Sequence, residues 1–187
     1  MEDDVQILIE STKEKMQKAI DHLDHELGKI RAGKANPRML DDVMVEYYGT
    51  MTPLQQVASI NTPDPRTIAI QPWEKGMIQP IEKAIMNANL GLNPDNNGEI
   101  VRINVPPLTE ERRQDLVKHV KKEGEEARIS IRNARRETND ELKKLKKDGL
   151  PEDMEKDAED KVQKLTDKFT KKVEEMLEKK EKDIMTV

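Results

Sequence analysis

Residues 106–151 read PPLTEERRQDLVKHVKKEGEEARISIRNARRETNDELKKLKKDGLP, and this run decides the fold. Two prolines close what precedes it. Thr109 can then cap a new helix, with Glu110 and Glu111 placed favourably against the helix dipole. Leu116, Val120, Ala127, Ile131, Ala134, Thr138, Leu142 and Leu145 follow at spacings built from threes and fours. That periodicity predicts one apolar stripe on one long helix. Asp148-Gly149-Leu150-Pro151 ends it and starts the next element, because glycine suits a helix C-terminus and proline a helix start. A helix of this length is about 57 Å long at 1.5 Å per residue. Its stripe has to be covered by other helices.

Working outward, two more stripes appear. Val5, Leu8, Thr12, Met16, Ala19, Leu23, Leu27 and Ile30 recur on one face of an N-terminal helix, and Ile20 widens that face. The pattern stops at Ala32-Gly33-Lys34-Ala35-Asn36-Pro37, where glycine and proline break helices. Met154, Ala158, Val162, Leu165, Phe169, Val173, Met176 and Ile184 mark a C-terminal helix. Three long helices with one stripe each are most economically satisfied by an antiparallel three-helix bundle. The bundle is discontinuous in sequence, residues 1–31 and 108–187.

The stretch between follows a different period. Val43 to Tyr48, Val57 to Ile60, Thr67 to Gln71 and Ile100 to Val105 are β-prone. Gly49-Thr50 reads as a turn and Asn93 to Gly98 as a loop. Ile78, Ile81, Ala84, Ile85 and Ala88 predict one amphipathic helix. The expected fold class is therefore α+β: the long bundle with an inserted small β/α/β domain, residues 32–107. Hinge linkers near 32–37 and 105–107, with Gly33, Pro106 and Pro107, join the two, and two short adjacent linkers favour a hinge over a fixed interface.

Composition agrees. Charged residues make up 38% of the 187 and aromatics 2%, which suits helices packed along narrow seams better than a broad core. With no cysteine, disulfides and thiolate metal sites are excluded and a reducing compartment fits. No signal peptide or membrane span is expected. The net charge of −5 is unevenly spread. Residues 110–147 hold thirteen Lys/Arg against nine Asp/Glu, a local +4.

On a helical wheel with Arg128 at zero, Arg132 falls at about 40°, Arg135 at about 340° and Arg136 at about 80°. Glu126, Glu137, Asp140 and Glu141 fall between about 120° and 220°, and the apolar stripe centres near 270°. One flank is thus arginine-rich with its acids expected elsewhere. It can be a solvated charged face. It can also be a phosphate-binding face, since like charges at i, i+4 destabilise a helix and arginine grips phosphate with a planar fork. Arg112 and Arg113 add charge near the hinge. Other chemistry is thinner. His22, His25 and His119 do not assemble a metal-ligand spacing. Ser11, Ser59 and Ser130 show no paired histidine and acid, and Gly28 and Gly33 belong to no phosphate-binding loop. Of Tyr47 and Tyr48, at least one is expected in a core; Trp73, beside Pro72, is expected to pack under a loop.

Several segments carry a family resemblance over essentially the whole chain. They are KIRAGKANP at 29–37, VEYYGT at 45–50, EKAI at 82–85, LGLNP at 90–94, PPLTEERR at 106–113 and IRNARR at 131–136. The chain resembles the bacterial ribosome recycling factors. The resemblance implies an L-shaped, two-domain protein that binds the post-termination ribosome. With elongation factor G and GTP, it would promote dissociation into subunits after release of the finished protein. It also implies contact with large-subunit rRNA at the subunit interface, no catalysis, no cofactor or metal, no membrane, a monomeric state and the cytoplasm. Matched to the family motif, Arg132 and Arg135 are the leading rRNA contacts, followed by Arg128, Arg136, Arg113 and Arg31. Lys34 stands where the family usually has arginine, keeping charge and losing the bidentate fork. Two rival readings are a coiled-coil protein adaptor and an enzyme using the β-rich domain.

Overall fold

A computed structural model describes residues 1–30 and 33–186. It contains four α-helices, α1 (Glu2–Lys29), α2 (Ile78–Asn87), α3 (Glu110–Lys147) and α4 (Glu152–Met185). Six strands lie between α1 and α3: β1 (Met44–Tyr47), β2 (Thr50–Pro53), β3 (Ala58–Asp64), β4 (Thr67–Pro72), β5 (Pro94–Asn96) and β6 (Val101–Asn104). The fold is mixed α+β. The chain divides into two compact units, Met1–Leu27 with Val117–Asp183, and Gly28–Leu116 with Ile184–Val187.

The helical unit is held along the predicted stripes. Met16, Ile20 and Leu23 of α1, Val120, Ile131 and Leu142 of α3, and Val162, Phe169 and Val173 of α4 are buried. Each such side chain contributes about 1.5–3 kcal/mol relative to its exposed state. The helix directions follow from cross-helix pairs. Lys15 Nζ lies 3.0 Å from Glu137 Oε2, Arg135 Nη1 donates to Gln163 Oε1 at 3.1 Å, and Lys146 reaches both Glu152 and Glu155. As numbers rise on α1 and α4 they fall on α3, so α3 runs antiparallel to both. The buried hydroxyls are satisfied, as buried polar groups must be. Thr12 donates to the Leu8 carbonyl at 2.7 Å and shares a hydrogen bond with Thr138 of α3; Thr166 donates to the Val162 carbonyl at 2.8 Å. On α4 the stripe is wider than its spacing predicts. Thr166 and Leu177 are buried, while Leu165 and Met176 are half-buried. A straight helix drifts against a seven-residue pattern, so adjacent positions share the seam.

The helix ends have the expected caps. Thr109 Oγ1 accepts from the Arg112 amide at 3.1 Å. At the far end of α3 the Leu150 amide donates to the Leu145 carbonyl at 2.9 Å and Gly149 donates to Lys146 at 3.1 Å, with Gly149 at φ +112°. This paired closure satisfies carbonyls that would otherwise be orphaned and turns the chain toward α4.

In the second unit, β1 and β2 form a hairpin and the other strands an antiparallel sheet in the order β3-β4-β6-β5. Alternation decides what is buried. Ile68 and Ile70 of β4 oppose Ile103 and Val101 of β6, and all four are buried. They form a core with Leu40, Val45, Leu54, Ile81 and Ile85, the last two from α2. Two strands arise where a turn and a loop are predicted. Residues Thr50–Pro53 are the return arm of a two-residue turn, with Tyr48 at φ +47° and Gly49 at φ +81°, the backbone that matches strand twist. Residues Pro94–Asn96 pair with β6 because Asn97 closes the turn after them, its side chain accepting from the Glu99 and Ile100 amides. Trp73 does not pack under a loop: it is 66% exposed. A period of two places position 73 on the side of Gln71 and away from Ile70.

Both chain segments that bound the insert are tied to one turn. The Ala35 amide donates to the Pro65 carbonyl at 2.7 Å and the Val105 amide to the Arg66 carbonyl at 2.6 Å.

Gly124, inside α3, is buried, and a Cβ there would run into the side chain of Leu177 on α4. Alanine gains about 1 kcal/mol of helix propensity over glycine, while overpacking costs about 1–3 kcal/mol. Gly124→Ala is therefore expected to lower the melting temperature read by circular dichroism. In a Leu177→Ala background the same change should raise it, since only propensity then remains. An increase in both backgrounds would refute the close approach of the two helices at this point.

Candidate nucleic-acid interface

The arginine flank belongs to the helical unit and is displayed by α3. Arg128 and Arg132 have side-chain exposures of 30% and 49%, and Arg136 is exposed. Arg136 has no hydrogen-bond or ion-pair partner among the described residues. The flank carries an acid where the wheel reading expects none. Glu125 lies at about 60° on the same wheel, between Arg132 and Arg136. Its Oε1 accepts from Arg132 Nη2 at 2.7 Å and its Oε2 lies 3.4 Å from Arg128 Nη1. These pairs span seven and three residues, two turns and one turn along a helix face. The hydrogen bond from Arg132, more than any other influence, holds the Glu125 carboxyl below the usual carboxylate range. The i, i+4 repulsion between Arg128 and Arg132 is thus offset by a carboxylate bridging both.

Arg135 is placed differently. It is half-buried against α4, where Nη1 donates to Gln163 Oε1, and Gln163 Nε2 donates on to Asp167 Oδ1 at 2.9 Å. Its Nε is buried without a partner. Arg128, Arg132 and Arg136 therefore share one flank, and Arg135 is engaged in helix packing. Glu125 and Gln163 join the site in addition to the arginines that the sequence predicts. The wheel position of Glu125 was a legible signal, whereas nothing in the sequence pairs position 163 with position 135.

Lys34 and Arg113 lie in the other unit. Lys34 is exposed. Arg113 is half-buried, with Nη1 3.5 Å from the Met185 carbonyl and Nε buried without a partner. Arg31 lies outside the described residues. Gly33 adopts φ +85°, a conformation glycine takes without strain. Pro106 and Pro107 are exposed.

Other sites offer little chemistry. Among the described residues no group of three or more His, Cys, Asp or Glu could hold a metal ion. Tyr47 and Tyr48 both donate to Glu74, at 2.7 and 2.9 Å, and these bonds raise both phenol pKa values. Tyrosines so held are poor bases or nucleophiles near neutrality. Tyr47 packs on the edge of the core, as expected for one of the pair, and Tyr48 is 82% exposed. A groove of about 850 Å³ between the β1–β2 hairpin and α2 is lined by Met44, Tyr48, Met51, Met77 and Lys83, without a convergent set of catalytic side chains. No described helix is long and apolar enough to cross a membrane.

Long packed helices carrying a cationic flank, with a small β unit beside them in the chain, define a docking protein of the α+β class. Comparison with known proteins makes the class specific. The model of the ribosome recycling factor family matches residues 23–185. The ribosome-recycling factor of Porphyromonas gingivalis is 54% identical over 185 residues, 98% of this chain and all of that one. That of Parabacteroides distasonis is 56% identical over 98% of this chain and 99% of its own. A solution structure of the ribosome recycling factor superposes with a TM-score of 0.83 at 38% identity, over 98% of both chains. A second structure, described as models for the T. thermophilus ribosome recycling factor and the E. coli elongation factor G bound to the E. coli post-termination complex, gives 0.68 at 48% identity. It covers 97% of this chain and 99% of that one. The chain belongs to the ribosome recycling factor family. It is a non-enzymatic translation factor of ribosome recycling.

The two arginine environments predict stability effects of different size. Arg132→Ala removes a half-exposed pair worth about 0–0.5 kcal/mol, since it also relieves repulsion from Arg128 and Arg136, and should leave the melting temperature within about 2 °C of the parent. Arg135→Ala empties a contact between α3 and α4 and should lower it by about 3–6 °C, for about 1.5 kcal/mol. Equal melting of the two variants would remove the structural role of Arg135.

Proposed function

We propose that this protein binds the post-termination ribosome and, with elongation factor G and GTP, promotes its dissociation into subunits. The observation that carries this reading is the family membership over nearly the full chain, joined to a structural neighbour described on the post-termination complex with elongation factor G. The arginine flank supplies the physical means. Arg128, Arg132 and Arg136 project from one side of a stiff helix, and guanidinium groups recognise phosphates bidentately. Their counterpart is large-subunit rRNA at the subunit interface, with Arg135, Arg113, Arg31 and Lys34 as further contacts. The protein acts as a monomer in the cytoplasm.

In this mechanism the moving parts are residues 1–31 with 108–187 and residues 32–107. The bonds from Ala35 to Pro65 and from Val105 to Arg66 fix both chain ends of the insert to its own sheet. We assign the turning to Gly33 on one side and to Pro106 and Pro107 on the other. The GTPase drives the insert about these linkers, and the helices pass the force to contacts between subunits.

Light scattering of post-termination ribosomes tests the reading. A drop that requires the protein, elongation factor G and GTP together is expected; no drop with binding intact would refute it. Arg132→Ala should weaken ribosome binding and make its dependence on salt shallower. A disulfide engineered across the linkers at 33–37 and 105–107 should preserve binding and slow splitting. Unchanged splitting by the locked form would take the hinge out of the mechanism.

A further inference from the structure

Glu125 is set in the middle of the surface that has most to gain from staying purely cationic. Helix side chains lean toward the N-terminus, so Arg132 folds back along α3 to meet a carboxylate two turns earlier, 2.7 Å away. Arg128 meets the other oxygen of the same carboxylate at 3.4 Å. One anionic group, with two oxygens, engages two guanidinium groups. That is the contact set a phosphate oxygen pair would make. Glu125 remains 52% exposed, so an incoming phosphate can reach the pair and take its place. By contrast, Glu126 falls at about 160° on the wheel, away from the flank.

We propose that Glu125 is an internal competitor: its carboxylate occupies Arg128 and Arg132 as a phosphate surrogate in the free protein, and any RNA that uses these arginines has to displace it. This rests on the arginine flank being the RNA-facing surface. The physical logic is competition. An isolated phosphate on arbitrary RNA exchanges one anion for another and gains little. A shaped RNA surface that also engages Arg136 gains contacts the carboxylate cannot offer. The acid therefore takes a fixed free energy from every contact that displaces it, which docking that also engages Arg136 can bear and a loose contact cannot. It also keeps Arg128 and Arg132 from repelling each other while the site is empty.

The test compares Glu125→Gln, Glu126→Gln, Arg132→Ala and the double variant Glu125→Gln with Arg132→Ala. Each is bound to a random-sequence RNA duplex and to post-termination ribosomes across a salt series. Glu125→Gln should tighten duplex binding about two- to fivefold, the range of an exposed ion pair. Ribosome binding should tighten by a similar factor, since docking there displaces the same carboxylate. The log–log salt dependence should steepen toward about 0.9 for each additional phosphate neutralised. Glu126→Gln should move neither measurement comparably, and in the double variant the gain should be lost. Unchanged or weaker duplex binding by Glu125→Gln, with Arg132→Ala still impaired, would overturn the proposal and make Glu125 a mere organiser of the arginines. Equal gains from Glu125→Gln and Glu126→Gln, or a gain that survives in the double variant, would overturn it in favour of bulk charge. If Arg132→Ala binds both partners like the parent, the arginine-flank reading fails first, and this proposal with it.

Discussion

The structure depends on the burial of one stripe along α3. Both other long helices bury their own stripes beside it, so it is the strand of information that makes three separate amphipathic sequences into one unit. A stripe alone permits sliding by a turn. Sliding is resisted here by features that fit in one register only. The buried Thr138 hydroxyl would lose its Thr12 partner if α1 moved, at a cost of about 1–3 kcal/mol for a stranded group. Leu177 of α4 occupies the space that the missing side chain of Gly124 leaves. Placement of the arginines follows from this register, because the face they share is whatever α3 does not bury.

Most of this architecture was legible in the sequence because periodicity over thirty residues is a redundant signal. Thr109 at the start and Gly149 at the end of α3 could be read as caps, and they act as caps. What escaped was short or depended on distant partners. β2 and β5 are four and three residues long, too short for alternation to show, and each exists because a neighbouring strand offers hydrogen bonds. Thr166 and Leu177 face inward because two helices share the seam there, which a single wheel cannot display.

The site was legible in part. The wheel brought Arg128, Arg132 and Arg136 together, and the structure does the same. It could not separate Arg135 from them, since 60° of wheel and one neighbouring helix decide between a solvent-facing cation and one bonded to Gln163. Glu125 shows a different failure. Its angle already places it on the flank, and only its pairing with Arg132, seven positions away, depends on reach that a wheel omits. The charge of a helix face is thus a property of pairs of residues as much as of residue types.

The turn at Pro65-Arg66 has a consequence for the history of such a chain. Its two carbonyls receive the amides of Ala35 and Val105, so the intervening seventy residues leave and re-enter the chain at one place and close upon themselves. A module closed in this way can be lost, exchanged or enlarged with little disturbance to what flanks it, much as a hinged leaf can be lifted from its frame. The helices need supply only two adjacent chain ends at a fixed separation. Drift in the sheet's sequence stays coupled to the end of the first helix, where Lys29 pairs with Asp42 at 2.6 Å.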